Sequence, residues 1–133
     1  IVPRVGDSLL ACRELTDWVA SSLGKDVPIH FTQFHPDYKM LDSATTPYST
    51  LKAHYDIAKA SGLSYVYIGN VQGNPYESTY CPVCGDAVIK RDGFYVVEWN
   101  LDSVSRCKHC RNKIPLTGGR PKEFRYEQIR ALY

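Results

Sequence analysis

Residues 81–110 read CPVCGDAVIKRDGFYVVEWNLDSVSRCKHC, and this stretch decides the architecture of the second half of the chain. It holds two Cys-x2-Cys pairs, Cys81/Cys84 and Cys107/Cys110, separated by 22 residues. Such a pair presents two sulfurs from one tight turn, and two turns close the tetrahedral shell of a metal ion. Between the pairs, Asp92-Gly93 divides Ala87-Val88-Ile89-Lys90 from Phe94-Tyr95-Val96-Val97, the signature of a β-hairpin whose turn needs positive φ. One hairpin between two cysteine knuckles is the plan of a zinc ribbon. Pro82 stiffens the first knuckle, and Gly85 permits the positive φ that frees backbone N–H groups for the sulfurs. Zinc is the expected ion, bound by Cys81, Cys84, Cys107 and Cys110; a rubredoxin-like iron site uses the same knuckles. His109, between Cys107 and Cys110, could replace a ligand, but four thiolates already complete the shell. A closed shell leaves no position for substrate, so the metal is expected to be structural.

Upstream of Cys81 the pattern changes. Ile1 to Pro3 is apolar and reads as the end of a strand. Asp7 or Ser8 can cap a helix that runs to about Leu23, with Cys12, Leu15, Val19 and Leu23 as its buried face, joined by Trp18, and Gly24 as its stop. Val27 to Phe34 reads as a strand. Thr46-Pro47 supplies a cap and a first-turn proline for a second helix to about Ser61, with Leu51, Tyr55 and Ala58 apolar. Gly62 ends it, and Ser64 to Ile68 reads as a third strand. The order βαβαβ implies parallel strands with helical crossovers. After Pro115, Gly118-Gly119-Arg120-Pro121 reads as a linker to a helix over Lys122 to Leu132, with Phe124, Ile129 and Tyr133 as docking residues. The expected divisions are 1–78, 79–116 for the ribbon, and 117–133 for the linker and helix.

Composition narrows the function classes. Sixteen Lys+Arg stand against 14 Asp+Glu in 133 residues, so no global field recruits nucleic acid or an anionic membrane. No apolar run approaches the roughly 18 residues needed to cross a bilayer, and the first twenty residues lack the blocks of a signal peptide. The paired cysteine spacing argues for metal in a reducing compartment, which makes a cytoplasmic location the expectation. Cys12 stands alone. The chain begins with Ile1, which suggests a piece of something longer.

Several ordered motifs carry a resemblance. Ile1-Val2-Pro3, Gly6-Asp7-Ser8, the run His30 to Met40 (HFTQFHPDYKM), Tyr65 to Val71 (YVYIGNV), Thr79 to Gly85 (TYCPVCG) and Ile114-Pro115 resemble the C-terminal part of the radical S-adenosylmethionine enzymes of the AmmeMemoRadiSam system, relatives of pyruvate formate-lyase activating enzymes. The resemblance covers about residues 1 to 116. It implies the last portion of a partial (β/α) barrel followed by a zinc-ribbon module. It also implies S-adenosylmethionine and a 4Fe–4S cluster as cofactors of the complete enzyme. The cluster motif Cys-x3-Cys-x2-Cys is absent here, so the chain alone is expected to be no catalyst. In the activating enzymes a histidine in Pro-Tyr-His at the end of a late strand helps hold S-adenosylmethionine, and Phe34-His35 is similar to it. Pro3, His35 and Asn70 all fall at C-terminal strand ends, where ligand sites of parallel barrels gather, which makes His35 and Asn70 the cofactor candidates. Tyr38 and Lys39 follow in the same loop.

His30 and His54 carry no carboxylate at a telling spacing and read as structural. The alternative function is a zinc-ribbon binding module that contacts nucleic acid or a protein partner through Lys90, Arg91, Arg106, Lys108, Arg111 and Lys113. Asp86, Asp92, Glu98 and Asp102 share the ribbon and argue against nucleic acid. The expected partner is the N-terminal part of the same enzyme or a second copy, with other proteins of the same system a further possibility, because Val2, Phe31, Tyr65 and Tyr67 would otherwise face solvent across an open sheet.

Overall fold

The computed structural model describes residues 1–93 and 95–119. The expected helix over Lys122 to Leu132 lies outside them. The chain forms α1 (Leu9–Trp18), which continues as a π-helical turn (Val19–Leu23), then β1 (Ile29–Thr32), α2 (Tyr48–Ala60) and β2 (Val66–Gly69). A short 3-10 turn, Pro75–Glu77, precedes β3 (Thr79–Tyr80), β4 (Ala87–Asp92) and β5 (Tyr95–Trp99). β1 and β2 pair in parallel, with His30 opposite Tyr67 and Thr32 opposite Gly69. β3, β4 and β5 form a separate antiparallel sheet in that order. The molecule is thus a mixed α/β fold carrying a cysteine-rich antiparallel module.

The helices form where the sequence signals them, with altered faces and ends. Ser8 caps α1 as expected, its hydroxyl accepting the Ala11 N–H at 3.3 Å. The buried face of α1, however, is Cys12, Thr16 and Val19, whereas Leu15, Trp18 and Leu23 are 52%, 55% and 55% exposed. The reason is the close approach of α2. Cys12 donates to the His54 carbonyl at 3.8 Å, and Thr16 Oγ1 lies 2.9 Å from Ser61 Oγ, which itself donates to Asp17 at 2.5 Å. Small residues admit that approach; leucine and tryptophan do not. In α2, Leu51 and Ala58 are fully buried as expected, and His54 joins them, with Nδ1 2.8 Å from the Thr50 carbonyl. Its structural reading therefore holds.

Three expectations are corrected. Ile1 to Pro3 is no strand; Ile1 instead donates its amine to the Thr32 carbonyl at 2.9 Å, so two parallel strands stand where three were expected among the described residues. Thr46 is no helix cap. Pro47 takes that position, and Thr46, fully buried, clamps the exit of β1: its hydroxyl accepts the Phe34 N–H at 2.9 Å and donates to the Ile1 carbonyl at 2.6 Å. The hairpin turn is shifted by one residue: Asp92 pairs with Tyr95 instead of forming the turn, and the register slips once between Lys90 and Arg91. Thr46→Val keeps the shape and removes both bonds. It is expected to cost about 1–3 kcal/mol through the groups left unpaired, seen as a lower denaturant midpoint at unchanged slope.

Strand parity divides β1 and β2 between two cores. Phe31, Val66 and Ile68 face the helices with Leu51, Ala58 and Leu63. Tyr65 instead joins the core of the antiparallel module with Cys81, Val88, Ile89, Leu101, Cys107 and Ile114, and Tyr67 packs against it. Tyr65 and Phe31 are each only 6% exposed, and Val2 and Tyr67 are half-buried, so the expected exposure of these residues is corrected as well. The cysteine module itself lies on the helix-free side of β2.

Candidate metal centre

Two similar knuckles build the site. In the first, Cys81 donates its N–H to the Asp86 carbonyl at 2.8 Å and accepts from the Gly85 N–H at 2.9 Å. In the second, Cys107 donates to the Asn112 carbonyl at 2.9 Å and accepts from the Arg111 N–H at 2.9 Å. Gly85 has φ +79°, and Arg111, at the equivalent place, has φ +65°. The sequence signalled the first left-handed position by its glycine and gave no sign of the second. Backbone N–H groups point at the sulfurs: those of Val83 and Cys84 at Cys81, that of Asp86 at Cys84, and that of Asn112 at Cys110. Asn112 Nδ2 adds a bond to Cys81 Sγ at 3.9 Å.

The four sulfurs lie within 4.8 Å of one another, with Cys81 to Cys110 at 3.5 Å and Cys84 to Cys107 at 3.7 Å. A tetrahedral ion with bonds of about 2.3 Å to sulfur separates its ligands by about 3.8 Å, so the cluster fits such an ion. The spacing is far too long for a disulfide, and all four thiols are free. Their acidities point the same way. Against the cost of burial, the Cys84 and Val83 N–H groups and neighbouring thiols hold Cys81 down at about 7. Cys84, despite the Asp86 N–H, is pushed up to about 12 by burial and by the Cys110, Cys81 and Cys107 thiols. Cys110 is raised as well, despite the Asn112 N–H, by burial and by Cys81. Four crowded thiols cannot all ionise alone, and a divalent cation removes that conflict.

His109 sits at the rim. Its Nδ1 pairs with Asp86, and the two lie within 4.8 Å of Cys84 Sγ, a second group that shares Cys84 with the four-sulfur cluster. The basic residues of the ribbon are tied down: Lys90 pairs with Glu98 at 2.9 Å and Arg111 with Asp102 at 3.0 Å, and Arg106 and Lys113 donate to the Arg111 and Val104 carbonyls. Cys12 is buried away from the site, and burial raises its thiol.

His35 and Asn70 lie elsewhere, at the C-terminal ends of β1 and β2. Both are exposed, and Asn70, at φ +61°, donates its side-chain amide to the Gln33 carbonyl at 3.3 Å, which ties the two strand exits together. Tyr38 is exposed in the loop beyond, with Lys39 above its ring. His30, read as structural, is exposed on the helix-free face and stacks on Tyr67. The register of the two strands, which sets His30 opposite Tyr67, was the missing signal.

Over 117 residues the chain is 44% identical to an uncharacterized protein of Methanocaldococcus jannaschii, an alignment covering 87% of this chain and 35% of that protein. The chain spans about a third of the length of that curated relative. No family model matches, and no solved structure matches. Among the described residues, no helix is long and apolar enough to cross a membrane.

Proposed function

We propose that this chain is the C-terminal segment of a radical S-adenosylmethionine enzyme of the AmmeMemoRadiSam type, with β1 and β2 as late strands of its partial barrel and a structural zinc ion in the cysteine ribbon. The observation that carries the reading is the pairing of two units. A parallel β1–α2–β2 unit brings the exits of its strands together through Asn70 and Gln33, and a four-cysteine module covers the helix-free side of β2. In parallel barrels ligands gather at the strand C-termini, and on this reading His35 and Asn70 contribute to the S-adenosylmethionine site. Zinc suits four thiolates without redox chemistry, and its closed shell supplies shape rather than catalysis.

The iron–sulfur cluster that cleaves S-adenosylmethionine would belong to the N-terminal part, since Cys-x3-Cys-x2-Cys is absent here. That part, or a second copy, is the proposed partner, and the exposed Leu15 and Trp18 of α1 offer it an apolar surface. The alternative of a nucleic-acid module has less support, because Lys90, Arg106, Arg111 and Lys113 of the ribbon are engaged internally.

Anaerobic reconstitution with iron and sulfide tests the reading. The chain alone should gain neither a cluster spectrum nor cleavage of S-adenosylmethionine. Joined to an upstream segment that carries Cys-x3-Cys-x2-Cys, it should gain both, and His35→Ala should weaken S-adenosylmethionine binding. Cleavage by the chain alone, or an upstream coding sequence without that motif, would overturn the proposal.

A further inference from the structure

The helix-free face carries a second cluster, separate from the cysteines. His30 of β1 stacks on Tyr67 of β2 with ring centres 4.6 Å apart and planes 19° from parallel. Arg91 of β4 brings its guanidinium carbon to 5.9 Å from the centre of the same ring. Arg91 is firmly held: Nη1 donates to Thr79 Oγ1 at 2.8 Å and to the Glu77 carbonyl at 3.2 Å, while Thr79 Oγ1 lies 3.0 Å from the Tyr67 hydroxyl. These partners are all neutral. Among the described residues no carboxylate pairs with Arg91, and its Nε and Nη2 take no part in these bonds. A half-buried guanidinium without a counter-ion is a costly arrangement, and its planar fork matches an oxyanion. The His30 ring nitrogens likewise have no hydrogen-bond partner among the described residues.

We propose that His30, Tyr67 and Arg91 form a binding site for the oxyanion group, carboxylate or phosphate, of a small ligand at the junction of the parallel sheet and the ribbon. Arg91 supplies a charged fork already fixed in place, so little conformational freedom is lost on binding. Tyr67, with His30 stacked on it, supplies an aromatic wall. Partial desolvation beside Tyr67, and then the charge of Arg91, hold the His30 imidazole below its ordinary range; a bound anion reverses that balance and favours imidazolium. Among the described residues, Arg91 acts on His30 by its charge and Tyr67 by stacking on its ring. The site draws on both units of the fold, so it exists only while the ribbon is docked. It stands independently of the S-adenosylmethionine reading.

The test is a titration of the metal-loaded chain with inorganic phosphate and, separately, with malonate, followed by NMR of the arginine Nε–H and histidine ring signals. Saturable shifts are expected at Arg91 and His30, with His30 titrating at higher pH in the bound state. Arg91→Gln and His30→Gln should each weaken binding about tenfold or more, the loss of a charge-assisted bond, while Arg13→Gln leaves it unchanged. Tighter binding of phosphate assigns a phosphate ligand, and tighter binding of malonate a carboxylate. Should Arg91→Gln fail to fold, His30→Gln decides alone. Absence of saturable shifts at these two residues, or affinity unchanged in His30→Gln, would overturn the proposal.

Discussion

Cys84→Ser is expected to abolish metal binding and unfold the ribbon while the helical core persists. A bound metal would supply what the module lacks by itself: its core is seven residues, of which Cys81 and Cys107 belong to the four-sulfur cluster and Tyr65 is borrowed from the parallel unit. Structural zinc sites contribute about 10–16 kcal/mol in small peptides, far more than so small a core provides. Serine leaves a weaker, higher-pKa oxygen where a thiolate stood, and the three remaining sulfurs revert to the crowded cluster that resists ionisation. Elemental analysis should show about one ion per chain in the parent and none in the variant, as the four-sulfur shell predicts. The resonances of Val88, Ile89 and Leu101 should collapse while those of Leu51, Ala58 and Ile68 stay dispersed, because these two groups belong to separate cores. A metal-free yet fully folded parent protein would sink the metal reading altogether.

Tyr65→Ala should uncouple the ribbon from the sheet. Tyr65 directly precedes β2, belongs to the ribbon's core, and is 6% exposed. Its truncation removes a buried ring from the joint between the two units, and buried aromatic-to-alanine changes cost about 3–5 kcal/mol. The measurement is chemical denaturation of the metal-loaded chain, followed separately by helix signal and by metal release. The variant should release metal at lower denaturant, and Tyr67, which packs against the same core, should become more exposed. An unchanged midpoint for metal release would show that the ribbon stands without the sheet. The same residue predicts an alkaline limit. Burial, assisted by the Asp26 carboxylate, Tyr67 and Cys81, pushes the Tyr65 phenol from 10.0 up to about 12. A raised folded-state value means that the neutral phenol stabilises the fold fully below pH 10, and this contribution fades as pH rises from 10 towards 12. Tyr65→Phe removes that part of the alkaline loss, which thermal melts across the interval should reveal as a flatter profile.

The four-cysteine cluster, the hairpin within it, the cap at Ser8 and the buried Leu51 and Ala58 were all legible in the residue order. Each depends on neighbours a few residues apart: a tight turn sets the reach of two sulfurs, and a helical period sets a face. His35 and Asn70 were placed at strand ends by the same local logic; β2 ends directly before Asn70, whereas β1 ends at Thr32, three residues before His35. Local reasoning failed where two segments distant in sequence compete for one surface. On α1, hydrophobicity favoured Leu15 and Trp18, but the proximity of His54 on α2 and of Ser61 just beyond its end selected Cys12 and Thr16. Thr46 looked like a cap and became a clamp once Ile1 and Phe34 were beside it.

What the sequence alone determined is therefore the four-cysteine cluster and the succession α1, β1, α2, β2, because covalent spacing and local periodicity are sufficient to dictate them. Tertiary structure alone decided that the ribbon covers the helix-free side of β2, that Tyr65 and Tyr67 leave solvent in its core, and that His30 and Arg91 meet across one tyrosine ring. Those outcomes rest on contacts between segments distant in the chain, His30 with Tyr67 and Tyr67 with Arg91, and on the parity of a strand whose faces have different partners. No periodic pattern encodes which surface finally comes to lie against which; that is settled by the shape and volume left when both cores have closed.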